Sequence, residues 1–66
     1  MEQVTNRSVS WVRNRDRHIL AVDMEIFIPD TRFLIMHSGH TWTLAIREVS
    51  ARDEGTYQCQ VSSVNR

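Results

Sequence analysis

The sequence predicts an all-β fold, two antiparallel sheets packed face to face as a sandwich, and three observations carry that prediction. The first is the run Asp53-Glu54-Gly55-Thr56-Tyr57-Gln58-Cys59. A tyrosine two residues before a cysteine can return its hydroxyl to the chain just upstream, and Gly55 suits a turn that needs positive φ. The second is Trp11, far upstream on a short alternating segment and suited to pack against a core-facing cysteine. The third is the alternation Trp42-Thr43-Leu44-Ala45-Ile46, the period of a half-buried strand. The chain shows no internal repeat, no low-complexity segment and no amphipathic helix of useful length.

Asp-x-Gly-x-Tyr-x-Cys with an upstream Trp marks the E–F corner, F strand and C strand of an immunoglobulin-like, variable-type sandwich. The elements follow in that lettering. Val9, Trp11 and Arg13 share the inner face of strand C, with Ser10, Val12 and Asn14 opposite. Asn14-Arg15-Asp16-Arg17 is the C–C′ turn, and His18-Ile19-Leu20-Ala21-Val22 is strand C′, an apolar run too short for periodicity to say which side chains face in. Met24 to Ile28 forms C″ or an extended edge, ended by Pro29-Asp30 because proline cannot donate to a ladder. Arg32 to Met36 is strand D, and His37-Ser38-Gly39-His40 turns into strand E, whose Trp42, Leu44 and Ile46 face the core. Val49 follows them inward. On strand F, Tyr57, Cys59 and Val61 face in, and Gln58 and Gln60 face out. Arg32 and Asp53 are expected to close the bottom of the sandwich as a bidentate ion pair.

The expected partner of Cys59 lies on strand B, yet Cys59 is the only cysteine among the 66 residues. An immunoglobulin domain takes roughly 100 residues. Residues 1–66 therefore read as one partial domain, strands C to F, without A, B and G. The alternative is a complete mini-domain, but chains this short ordinarily need disulfides or metal.

Net charge is zero, so bulk electrostatics favour no nucleic-acid partner. All the basic residues are Arg, and Arg7, Arg13, Arg15 and Arg17 crowd the start as a solvated strand and turn, or as the polar rim of an interface. No apolar stretch approaches the ~20 residues that span a bilayer, so membrane attachment is left to segments outside this sequence. Asn6-Arg7-Ser8 is an N-glycosylation acceptor, expected in a B–C loop. His37-x-x-His40 lacks the further ligands a zinc site needs, and Cys59 lacks an exposed, activated setting for catalysis. The reading is of a non-enzyme with no cofactor, no metal and no small-molecule substrate.

Val9 to Ser63 resembles the first immunoglobulin domain of the arthropod defective proboscis extension response (Dpr) proteins. The residues carrying the likeness are Val9-Ser10-Trp11-Val12-Arg13, Arg15-Asp16, His18-Ile19-Leu20, Arg32-Phe33, His37-Ser38, Trp42-Thr43-Leu44, Arg52-Asp53-x-Gly55-x-Tyr57 and Cys59-Gln60-Val61-Ser62. The discriminating ones are Arg-Asp-x-His-Ile-Leu followed by His-Ser and Trp-Thr-Leu. The resemblance implies a neuronal cell-surface recognition module that binds a Dpr-interacting immunoglobulin protein in synaptic partner choice. The implied contact is the C-C′-C″-F-G face, carried here by Val12, Asn14, His18, Leu20, Phe27, Gln58 and Gln60. Trp11, Arg32, Asp53, Tyr57 and Cys59 are the implied structural set. Asp23 stands where the family pattern suggests Gly, and Glu25 where it suggests an aromatic. Rivals are a Dpr-interacting or lachesin-like domain and a truncated, non-binding product.

Overall fold

The computed structural model describes residues 6–64 and shows an all-β sandwich. Strands are β1 (Asn6–Arg13), β2 (His18–Val22), β3 (Glu25–Ile26), β4 (Phe33–Ser38), β5 (Thr41–Ile46) and β6 (Tyr57–Val64), with a 3-10 turn at Ala51–Asp53. One sheet has the order β3-β2-β1-β6 and the other pairs β4 with β5. These are strands C, C′, C″ and F on one layer and D and E on the other, the grouping that the resemblance implies.

The longest ladder joins β1 to β6, from Asn6↔Val64 to Arg13↔Tyr57. It carries Asn6 into the head of β1 rather than into a loop. β4 and β5 form a tight hairpin from Phe33↔Ile46 to Ser38↔Thr41. His37 and Ser38 belong to β4, and the turn is shorter than the sequence suggests; Gly39, at φ 59, supplies the positive φ that it needs. The β3 strand is only two residues long: Met24 belongs to the turn before it and Ile28 to a bend after it, so the expected longer edge is cut to Glu25 and Ile26.

The core is Val9, Leu20, Ala21, Phe33 and Ile35. Leu20 and Ala21 are neighbours, and both are fully buried. Strict alternation forbids this. The register explains it: Trp11 pairs with Ala21 but Val12 with Ile19, so Leu20 is the extra residue of a β-bulge.

The corner that anchors β6 is built from Arg32. Its Nη1 and Nη2 donate to Asp53 Oδ2 and Oδ1 at 2.8 and 2.9 Å. The same guanidinium takes a second carboxylate, with Nε and Nη2 donating to Asp30 Oδ1 and Oδ2 at 3.0 and 2.9 Å. Asp53 is buried, 7% exposed, and also accepts the Ser50 N–H at 2.9 Å. The Tyr57 hydroxyl donates to the Asp53 carbonyl at 2.7 Å, which is the tyrosine corner. The Arg32 hydrogen bonds hold the Asp53 and Asp30 carboxyls below the usual carboxylate range and raise the guanidinium further.

Three side chains expected in the core are exposed. Val49 is 66% exposed, because Glu48 at φ 48 turns the chain and breaks the alternation running from β5. Cys59 and Val61 pair with Trp11 and Val9 and so lie on the inner side of β6, yet both are exposed. Beside Val61 the layers part around a cleft of about 540 Å³, lined by Arg7, Val9, His37, Gly39, His40, Trp42 and Val61.

Candidate docking face

The outer side of the four-stranded sheet follows from its registers. Val12 on β1 stands opposite Gln58 on β6 and Ile19 on β2, and Ser10 stands opposite Gln60 and Val22. Directly opposed residues share a face, so these side chains form one patch. Gln58 and Gln60 are exposed and Val12 is half-buried among them. Asn14 donates its N–H to the Thr56 carbonyl at 3.0 Å, and its Oδ1 is buried with no partner among the described residues. Phe27 is 59% exposed beyond β3, and its N–H reaches the Leu20 carbonyl at 2.8 Å beside the bulge.

Two expected contact residues sit differently. Leu20 is 0% exposed and belongs to the core, because the bulge turns it inward. Ile19 takes the outer position, at 51% exposed, and sequence reasoning missed it. Its only signal was membership of an undecided apolar run. His18 is exposed, but its register partner is Arg13 rather than Val12. Its N–H donates to Asp16 Oδ1 at 3.3 Å, and Nδ1 lies 3.9 Å from Asp16 Oδ2.

At the hairpin end Arg13 and Asp16 pair, while Arg15 and Arg17 have no acidic partner among the described residues. Arg13 Nε and Nη2 grip Asp16 Oδ1 and Oδ2 at 3.1 and 2.9 Å. That contact lowers the Asp16 carboxyl to about 2 and raises the guanidinium. Arg15 Nη1 donates to the Arg52 carbonyl across the corner. His37 stacks flat on its cross-strand neighbour Trp42, with centroids 3.9 Å apart, and shares a 2.8 Å hydrogen bond with the Gly39 carbonyl. The outer face of the sheet offers a mixed apolar and amide surface, the composition of a surface that docks another protein.

The immunoglobulin I-set domain family matches residues 3–65. Among solved structures, one of Dpr11 IG1 bound to DIP-gamma is similar at 50% identity and a TM-score of 0.83, over 100% of this chain and 74% of that one. This chain is a Dpr-family first immunoglobulin domain of the I-set type. A structure of Dpr2 Ig1-Ig2 in complex with DIP-Theta is similar at 36% identity and a TM-score of 0.79, over 89% of this chain and 30% of that one. A third, of Dpr1 IG1 bound to DIP-eta IG1, shows 35% identity and a TM-score of 0.79, over 89% and 62%. No curated protein matches.

Proposed function

We propose that this Dpr-type domain is a cell-surface recognition module that docks the outer face of its β3-β2-β1-β6 sheet onto a DIP-type immunoglobulin domain. The observation that carries the reading is the exposed Ile19 on the same face as Val12, Gln58 and Gln60, with the exposed Phe27 just beyond the β3 edge. An apolar centre with an amide rim is the usual anatomy of a protein interface. The likeness to Dpr11 IG1, solved bound to DIP-gamma, supports that kind of partner. The reading extends to a role in neuronal, synaptic partner choice at the extracellular face of the plasma membrane.

The test is biosensor binding of the chain to DIP-gamma IG1–IG2, DIP-eta IG1 and DIP-Theta Ig1–Ig3. Wild type binds at least one of them, and Ile19→Asp weakens that binding at least about tenfold, since a central charge costs more than a rim charge. Full binding by Ile19→Asp removes this face from the mechanism. A second reading, a chain that binds nothing, draws on the exposed Cys59 and Val61. Absence of binding to all three proteins would favour it.

A further inference from the structure

The two acidic residues at the β2–β3 edge differ in what holds them. Asp23 is engaged: its N–H donates to the Val9 carbonyl at 2.7 Å, and Oδ1 accepts the Val9 N–H at 2.9 Å. Its Oδ2 accepts the Ser8 hydroxyl at 3.4 Å. With φ at 55 it occupies the left-handed region, which Asp tolerates better than most residues. The carboxylate therefore ties the edge turn to β1. Glu25 is different. It is exposed, pairs through its backbone with Val22, and its side chain has no hydrogen bond or ion pair among the described residues.

The neighbouring charges do not neutralise it. Arg13 and Asp16 satisfy each other, and Arg15 is bound at the Arg52 carbonyl. The hairpin carrying Arg15 and Arg17 lies at the opposite end of β2 from Glu25, about 15 Å away at ~3.3 Å per strand residue. Glu25 is flanked by exposed apolar side chains, Met24 at 58% and Phe27 at 59%. Positive charge at one end of β2 and a free carboxylate at the other give the face a polarity that a partner must match.

We infer that Glu25 is the charge by which this face selects its partner, and that the docking domain sets a Lys or Arg side chain against it beside the apolar contacts of Met24 and Phe27. The inference rests on the docking reading above. A rim carboxylate acts chiefly on association rate and salt dependence, whereas Asp23 acts on the fold.

The experiment compares wild type, Glu25→Gln, Glu25→Arg and Asp23→Asn, each checked by thermal melting, against DIP-gamma, DIP-eta and DIP-Theta domains. Association rates are read from about 50 mM to about 1 M salt. Glu25→Gln is expected to slow association about threefold at low salt and Glu25→Arg about tenfold, the curves converging at high salt where charges are screened. Both keep the wild-type melting temperature. Asp23→Asn melts lower and changes the salt slope less than Glu25→Gln. Unchanged rates in both Glu25 variants, or faster association by Glu25→Arg, overturn the inference while leaving the docking reading in place. A wild-type chain that binds none of the three domains overturns both.

Discussion

The two ends of this sandwich close in different ways. At one end Arg32 is held by Asp53 and Asp30 through four charge-assisted hydrogen bonds, with Ser50 and Tyr57 completing the set around Asp53. At the other the layers part around the cleft between Val9, Val61 and Trp42, where Asp23 bonds only to β1 and His37 only to the Gly39 carbonyl of its own hairpin. The first end makes directional contacts between elements distant in sequence; the second relies on apolar surface that still meets water. Stability should therefore be concentrated at the corner, and substitutions at the two ends should have unequal effects.

The largest loss is expected from Arg32→Ala, which leaves the buried Asp53 carboxylate without its cation and frees Asp30. Its melting temperature should fall well below that of any variant at the cleft end. A cleft variant such as Val61→Ser that melts as low would erase the comparison. Leu20→Ala tests the core between the two ends, with an expected cost of about 2–5 kcal/mol by denaturant unfolding, the usual range for a buried leucine. A cost near zero would contradict the bulge that turns Leu20 inward.

Tyr57→Phe comes next. It removes one hydroxyl hydrogen bond while keeping the ring, so about 1 kcal/mol is expected. Thermal melting of the double variant, Tyr57→Phe with Arg32→Ala, should show less than additive loss if both side chains act through Asp53.

Acid should act on the corner in the same direction. Asp53, Asp30 and Asp16 all have folded-state values below the ordinary 3.8. Each contributes stability that is complete above that value and is lost as pH falls through the folded one. For Asp16 the loss runs from about pH 4 down to about 2. Melting temperature should thus decline below pH 4, and Arg32→Ala should flatten the decline by removing the cause of two of the three shifts. An identical pH profile in that variant would separate the corner from the acid response. The smallest effects belong to Arg15→Ala and Val61→Ser, exposed changes expected within about 0.5 kcal/mol of wild type.

Much of this contrast was legible in the residues, for a physical reason. The corner is specified by side chains with one available geometry each: a planar guanidinium, a short carboxylate and a tyrosine hydroxyl four residues away. Arg32 and Asp53 could be paired in advance, although the share taken by Asp30 could not. The docking face was read less well. Gln58, Gln60 and Val12 followed from clean alternation, whereas Leu20 and Ile19 exchanged places because a bulge in β2 shifts the register by one. Nothing in His-Ile-Leu-Ala-Val announces that bulge.

The sequence by itself determined the strand order along the chain, the closed corner and the membership of the Dpr first-domain family, since each rests on local pattern or on side chains with specific chemistry. Only the tertiary structure decided which side of β2 meets solvent, that Cys59, Val61 and Val49 stay exposed, and that Asp23 is tied while Glu25 is free. Those outcomes depend on register and on how closely the two layers approach. Both are set by contacts between residues far apart in the chain, where alternation carries no information.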